Sequence, residues 1–374
     1  MTNKSELRES IIKGAQLRKA RELLQLAPEE VAPELNVTRQ DILDWEGERA
    51  QPTLKQLEGL AKLYGREIDY FLKETPAPPE KIEFRGKPGQ SLKELSKETK
   101  IVLARFDELC RTALEFEGLL GKAREVKLPR FEESVYPKTV AQSLRRKLDA
   151  GDKPLPDLRE RLEGEGVHIF ELPVPEDAFS GFSFWHAEYG PCILLNAREP
   201  KGRRNFTLAH ELAHLLYGHG SSLCYIPLKF GEHLGDLEYK ANRVAIELLL
   251  PELGVVEDFR KRNLSRTPSE NELVQMAYHR WGVSIQALGY RLENLDLIKR
   301  EYTDTLLETK PPYFRGRKGP RTPGWKKQLG REFVETAFEA YQQGLISAGK
   351  VASGLGITVR EAMKEIEQRS KQQG

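Results

Sequence analysis

Apolar residues near the start of the chain recur at the three- and four-residue spacing of amphipathic helices. In the first such stretch, Leu17, Ala20, Leu23 and Leu24 fall on one helical face. Similar stretches follow up to residue 72, and short polar turns separate them. The pattern predicts a small bundle of four helices over residues 12–72.

Residues that favour helix ends mark the boundaries within this bundle. Thr38 can cap the start of a helix with Asp41 three residues later, a spacing typical of a capping box. Thr53 stands at the start of the last stretch and Gly65 at its end. We therefore expect well-defined helices that begin at Thr38 and at Thr53.

The middle of the chain shows the β-branched and aromatic character of strands. Three short runs bounded by glycine or proline have it: 167–173, 179–187 and 191–196. Helical patterns surround these runs, and the chain from residue 331 onwards is helical again. The prediction is an α+β fold that is mostly α, with a small three-stranded sheet.

Composition indicates the class of protein and its compartment. The 374 residues suffice for two or three domains, and 39% hydrophobic with 31% charged residues is typical of a soluble, folded protein. No apolar run approaches the roughly 20 residues that span a bilayer, and the first ten residues lack a signal-peptide core. Cys110, Cys192 and Cys224 share no paired spacing. We expect a reduced, cytoplasmic protein without a membrane partner.

Charge is unevenly distributed, although the net charge is only +2. Residues 1–75 contain 12 basic and 14 acidic side chains, whereas residues 299–331 contain 10 and 3. Within the second segment, residues 311–331 interleave aromatic side chains with cations, a composition suited to single-stranded nucleic acid. A charged linker without a nucleic-acid partner is the simpler alternative.

The segment FTLAHELAHLLYGHG, residues 206–220, carries three of the seven histidines of the chain. His210 and His214 are four residues apart, so on a helix their imidazoles lie on one face and can reach one zinc ion. Glu211 beside the first histidine can act as a general base toward water. The alternative is an ordinary core helix that contains histidines. His219 does not stand at the sequence spacing expected of a third histidine ligand.

A third zinc ligand is expected on the helix predicted over residues 236–250. The face that carries Glu238 and Asn242 has small residues in its middle, so this helix can pack closely against the histidine helix. Glu238 would complete a gluzincin-like set of ligands, and Asn242 one turn later could orient a ligand. Asp236 is the alternative ligand, and the alternative role of Glu238 is a solvated carboxylate at a helix start.

Cys224 lies between the two segments that carry the predicted ligands. Its thiolate could reach the zinc ion and displace the water, which would make a self-inhibited resting state. The alternative is a small, buried, apolar residue. The sequence leaves both interpretations open.

Together these segments resemble the ImmA/IrrE metallopeptidases over roughly residues 150–298. The resemblance rests on FSGFSFWHAEYGPCILLNAREPKGRRNFTLAHELAHLL and on the later LEYKANRVAIELLLP, with Val244 where the family usually has Phe. It implies a zincin-like domain that binds zinc. The counterparts of the family's motif residues are Asn196, Arg203, Arg204, His210, Glu211, His214, Glu238, Ala241, Asn242 and Pro251.

Residues 12–72 resemble an XRE-type helix-turn-helix, a module that many ImmA/IrrE-type proteins carry at the N-terminus. The resemblance implies a recognition helix over residues 38–45 that enters a major groove of DNA. Pro28 stands where the pattern usually has a phosphate-contacting glutamine, and the segment is rich in acidic residues. The alternative is a degenerate module used for dimerisation or partner contact. The candidate DNA-binding residues are Thr38, Arg39, Gln40, Asp44 and Arg49.

The two resemblances, together with the Pro/Gly-rich, basic and helical stretches outside them, divide the chain into four parts. They are a helix-turn-helix domain (1–73), a linker with helices (74–150), a zincin-like metallopeptidase domain (151–298), and a basic linker followed by a helical C-terminal domain (299–374). The last helices are expected to form a hairpin that packs on the peptidase domain. Their helix-turn-helix-like spacing is the alternative interpretation.

The implied function is a zinc-dependent endopeptidase that cleaves a regulatory protein, such as a transcriptional repressor, in a stress, phage-defence or mobile-element response. The substrate would pair as a strand with residues 191–196, which are expected to form an exposed edge strand. The alternative is a DNA-binding transcription regulator, or an antitoxin-like protein, whose peptidase-like domain senses a ligand or partner. A homodimer is compatible with either function.

Overall fold

Helices form most of the structure, and short strands lie in the middle of the chain. The computed structural model describes residues 11–72, 95–122, 125–175, 179–219, 222–224, 236–309 and 322–373. The α-helices are α1 Gly14–Leu23, α2 Pro28–Val31, α3 Arg39–Glu46, α4 Leu54–Tyr64, α5 Lys97–Leu119, α6 Pro137–Lys147, α7 Leu158–Gly164, α8 Lys201–Tyr217, α9 Asp236–Leu249, α10 Glu252–Lys261, α11 Glu270–Val274, α12 Ile285–Asn294, α13 Tyr302–Thr309, α14 Trp325–Leu329, α15 Arg331–Gln342, α16 Ala348–Leu355 and α17 Val359–Gln373. The strands are β1 His168–Leu172, β2 Gly181–His186, β3 Gly190–Asn196 and β4 Ser222–Cys224. The predicted fold class, α+β and mostly α, is confirmed.

Two compact units share the chain. The first contains the described residues 11–72, 95–112 and 346–373, and the second contains the described residues between 113 and 345. Among the helices that the structure describes, none combines the length and the apolar character needed to cross a membrane.

The helix bundle of the first unit forms where the apolar spacing predicts it. Leu17 and Ile42 are almost completely buried in its core, and the burial of each contributes about 1.5–3 kcal/mol. The Thr38 hydroxyl accepts a hydrogen bond from the Asp41 amide at the start of α3, as the capping-box spacing indicates. Gly65 ends α4 at a φ of +65°, a left-handed conformation that favours glycine.

The C-terminal helices α16 and α17 also belong to the first unit. Lys350 on α16 places its Nζ 3.0 Å from carboxylate oxygens of both Glu67 and Asp69. Arg105 on α5 donates to the carbonyl of Gly354 at 3.2 Å. The expectation that this hairpin packs on the peptidase domain was therefore wrong, because its ion-pair partners lie in the N-terminal unit.

The sheet of the second unit has the strand order β1-β3-β2-β4. β3 pairs in parallel with β1 and antiparallel with β2, while β4 pairs antiparallel with residues Gly181 to Ser183 of β2. The three predicted strands are present, and β4 is an additional strand. The expectation that residues 191–196 form an exposed edge was wrong, because β3 has a hydrogen-bonded neighbour on each side.

The centre of the second unit is α8, whose side chains from Phe206 to Tyr217 are all buried. One side of this helix packs on β2 and β3, and another side packs on α9. Ala241 and Ala245 of α9 are fully buried. Their small side chains permit the close approach of the two helices that the sequence pattern predicts, and this approach brings polar residues of both helices together.

Candidate metal centre

The side chains of His210, His214 and Glu238 converge between α8 and α9. The two histidines present their Nε2 atoms to each other at 3.1 Å. Oε2 of Glu238 lies 3.1 Å from Nε2 of His210, and Oε1 lies 3.3 Å from Nε2 of His214. Glu238 therefore occupies the position that the sequence pattern predicts, whereas Asp236 is exposed at the start of α9.

This arrangement of donors fits a zinc ion. Zinc in a tetrahedral site with ligands at about 2.0–2.1 Å separates neighbouring donors by about 3.3 Å, close to the three distances observed. Two imidazole nitrogens at 3.1 Å can share at most one proton, and two lone pairs at that distance repel. A cation between His210, His214 and Glu238 satisfies all three donors at once.

Protonation in the site also favours a positive charge at its centre. Burial raises the pKa of Glu238, but hydrogen bonds from His210 and His214 more than offset this and hold the pKa well below its usual range. Burial lowers the pKa of His210, yet the hydrogen bond to Glu238 and the charge of Glu238 leave it above the ordinary value. A proton and a metal ion thus compete for the same nitrogen.

Asn242 orients the first histidine from the neighbouring helix. Its Oδ1 lies 2.9 Å from Nδ1 of His210, and both side chains are buried. An amide oxygen can only accept, so with this orientation of the amide His210 carries its proton on Nδ1 and directs the Nε2 lone pair toward the other donors. This is the supporting position that the sequence pattern predicts for Asn242.

Glu211 lies beside the histidines and is held by β2. Its Oε2 accepts a hydrogen bond from the Ser183 hydroxyl at 2.6 Å, and Glu211 is completely buried. A Cβ added to Gly181 would lie 2.7 Å from Oε1 of Glu211 and 2.5 Å from Cγ2 of Thr207, so only glycine fits there. Sequence reasoning missed Ser183 and Gly181. Their alternate spacing places both on one face of β2, but only the packing shows that this face meets α8.

Comparison with known families matches a part of each unit. Residues 162–293 match the peptidase-family model described as the IrrE N-terminal-like domain, and residues 17–71 match the model described as helix-turn-helix. The chain contains an IrrE N-terminal-like domain and a helix-turn-helix domain. A search of curated proteins found no match to the chain. The two resemblances inferred from sequence motifs are confirmed, and His210, His214 and Glu238 all lie within the matched peptidase segment.

Within the IrrE N-terminal-like domain, His219 contacts the second histidine of the motif. Its Nδ1 lies 3.0 Å from Nδ1 of His214. The His219 side chain is almost completely buried and its ring stacks on Tyr217, with centroids 5.4 Å apart and an interplanar angle of 15°. His219 is thus close to the candidate metal centre without facing it.

The helix-turn-helix domain pairs its candidate DNA-binding cations with carboxylates. Arg39 contacts Glu29, and Nε of Arg49 donates to Asp44 at 2.7 Å. Gln40 also donates to Asp44, at 2.9 Å. Both arginines remain more than half exposed. Contact of these residues with DNA stays a prediction. To contact DNA, each arginine would have to break its ion pair with a carboxylate.

Two predicted sites extend outside the described residues. β4 places the backbone of Cys224 opposite Gly181, but the Cys224 side chain lies outside the described part. The basic segment 311–331 is described from residue 322 onwards, where α14 packs against β1. The inhibitory role of Cys224 and the binding of single-stranded nucleic acid therefore stay predictions.

A second group of acidic side chains lies in the first unit. Carboxylate oxygens of Glu67, Asp69 and Glu108 are within 4.8 Å of one another. Arg66 contacts Glu108 at 3.2 Å, and the ammonium group of Lys350 contacts both other carboxylates. Because cationic side chains already pair with all three carboxylates, this group is an ion-pair network rather than a candidate metal centre.

Proposed function

We propose that the protein is a zinc-dependent endopeptidase that cleaves a regulatory protein, a transcriptional repressor, in a stress, phage-defence or mobile-element response. The observation that carries this proposal is the convergence of His210, His214 and Glu238 at mutual distances of 3.1–3.3 Å, with Glu211 on the next position of the same helix. The match to a peptidase family supports it.

In this function His210, His214 and Glu238 would hold the zinc ion. Zinc bound there supplies Lewis acidity, which lowers the pKa of a water molecule and polarises a peptide carbonyl. Three protein ligands leave a fourth position available for chemistry, as in other catalytic zinc sites. Asn242 keeps His210 in the tautomer that ligation requires.

Glu211 would move the protons of the reaction. Its carboxylate accepts a proton from the attacking water and returns it to the amine of the departing peptide. The Ser183 hydroxyl holds one carboxylate oxygen at 2.6 Å, and Gly181 limits the space on the other side. The carboxylate is thereby oriented by β2, and enclosure in the protein strengthens its electrostatic interactions.

A polypeptide substrate fits β4, which lies at one end of the sheet, better than β3. β4 is last in the strand order and lies next to β2, the strand that carries Ser183 toward Glu211. An extended segment that adds to β4 by backbone hydrogen bonds would run along the side of the sheet nearest the general base. We therefore assign to β4 the role of template that the sequence pattern suggested for residues 191–196.

The decisive experiment compares wild type with Glu211→Gln. Both proteins are loaded with one equivalent of zinc and incubated with the repressor encoded nearest to the gene, and the products are identified by mass spectrometry. Cleavage by wild type alone, with equal zinc content in both proteins, is expected. Equal cleavage by the variant, or intact repressor after incubation with zinc-loaded wild type, would contradict the proposal.

DNA binding by the helix-turn-helix domain is a second candidate function, favoured by the family match over residues 17–71. Because Asp44 pairs with Arg49, we expect Asp44→Asn to release this arginine and to tighten binding to DNA from the upstream region of the gene. Glu58→Gln makes the same charge change at an exposed position of α4. Affinity for DNA is measured by fluorescence anisotropy for wild type and both variants. Equal affinities of the two variants would indicate only an effect of net charge. Absence of binding by wild type and both variants would refute this function.

A further inference from the structure

The chain reverses direction directly after the histidine helix and brings a third imidazole back toward it. Gly218 adopts a φ of +69°, the left-handed conformation that ends α8. The backbone amide of His219 then donates to the carbonyl of His214 at 3.0 Å. This turn places the His219 ring against the side of the His214 ring that faces away from Glu238.

The contact between the two rings determines where the protons lie when a metal is bound. Nε2 of His214 faces His210 and Glu238, so ligation needs a lone pair on that atom. The His214 proton must then be on Nδ1, where it is donated to Nδ1 of His219 at 3.0 Å. His219 in turn carries its proton on Nε2, which lies 3.7 Å from Oε1 of Glu133.

The two histidines of the motif are thus held in the same way by different groups. His210 donates to an amide oxygen of Asn242 at 2.9 Å, and His214 donates to an imidazole nitrogen of His219 at 3.0 Å. All four side chains are buried, which strengthens both hydrogen bonds and makes the loss of either acceptor costly.

We propose that His219 is a positioning residue of the metal centre, which fixes the tautomer and the ring orientation of His214 without binding the metal itself. The inference rests on the proposed function, because it concerns zinc held by His210, His214 and Glu238. Loss of such a supporting group lowers metal affinity by about 10- to 100-fold. The same loss is expected when His219 is replaced by a residue that cannot accept a hydrogen bond.

The test uses two variants of the full chain that differ in whether the side chain at position 219 can accept a hydrogen bond. His219→Leu and His219→Asn both remove the ring and its stacking on Tyr217, but only asparagine offers an acceptor near the former position of Nδ1. Zinc affinity is measured by competition with a chelating dye, and the absorption of the cobalt-loaded proteins reports ligand geometry. We expect the zinc Kd to rise by about 10- to 100-fold in the leucine variant, and the asparagine variant to recover most of the affinity and the wild-type cobalt spectrum.

The outcomes separate this proposal from the proposed function. Equal zinc Kd values for wild type and the leucine variant would overturn the role of His219 and leave the zinc site intact. Equal losses in the leucine and asparagine variants would also overturn it, since packing rather than the hydrogen bond would then be responsible. A wild-type protein that takes up no zinc would overturn both proposals.

Discussion

Neutralising Glu238 tests the ligand set most directly. Glu238→Gln removes the only anionic donor of the trio while retaining its size, and it weakens the two contacts at 3.1 and 3.3 Å with His210 and His214. Asp236→Asn is a matched control, because Asp236 carries the same charge in the same first turn of α9 but is exposed. It loses only a favourable interaction with the helix dipole, about 0.3–1 kcal/mol.

The expected magnitude follows from the linkage between zinc binding and folding. At a free zinc concentration of about 100 times Kd, wild type gains about 2.7 kcal/mol in free energy of unfolding. Loss of a supporting group alone can raise the zinc Kd by about 100-fold. Loss of a ligand itself should therefore raise the zinc Kd by at least that factor. At the same zinc concentration the Glu238→Gln protein would gain only about 0.4 kcal/mol, a deficit of about 2.3 kcal/mol relative to wild type.

The assay should report on the unit that contains α8, since a chain with two compact units need not unfold in one step. Hydrogen exchange of α8 backbone amides, followed by mass spectrometry with zinc and with a chelator, meets this need. Dye competition provides the zinc Kd independently. If Glu238→Gln and Asp236→Asn lose zinc-dependent protection equally, or if neither loses it, then Glu238 is not a ligand and the geometric argument fails.

Two further predictions concern the general base and the pH. Gly181→Ala should leave zinc content unchanged but reduce repressor cleavage by about 100-fold, because the added methyl group displaces Glu211. Gly164→Ala is the control, since nothing lies within 4 Å of a methyl group added there, and it should retain activity. Equal cleavage rates for the two variants would contradict the steric reasoning. In the zinc-free protein, the raised pKa of His210 contributes stability that is complete below its unfolded value of about 6.5 and is lost as the pH rises through the folded pKa. Protection of α8 amides, corrected for intrinsic exchange rates, should therefore fall over that range in the presence of a chelator, and constant protection would count against the His210–Glu238 ion pair.

Much of the candidate site follows from local spacing in the sequence. His210 and His214 lie on one helical face because four residues make about one turn. Thr38 caps α3 through an amide three residues away. Glu238 and Asn242 were predictable for a similar reason, since Ala241 and Ala245 mark the face of α9 that can approach α8. Each of these inferences needs only the geometry of a single element.

Other features depended on contacts that no spacing rule supplies. Ser183 and Gly181 support Glu211 only because the face of β2 that carries them lies against α8 at Glu211. The prediction of an exposed β3 failed because strand order is set by pairing between distant segments. The C-terminal hairpin was assigned to the wrong unit, since its ion-pair partners, among them Glu67, are nearly 300 residues away.

The sequence by itself determined the helix bundle, the presence of three strands, the two histidines with Glu211 beside them, and the family of each domain. These depend on periodicity, helix ends and motifs, which act over a few residues. The tertiary structure alone decided that His219 contacts His214, that Ser183 of β2 donates to Glu211 and that β4 lies at one end of the sheet. The physical reason is that burial and hydrogen bonding between distant segments are settled by how the elements pack, and several packings are compatible with the same local pattern.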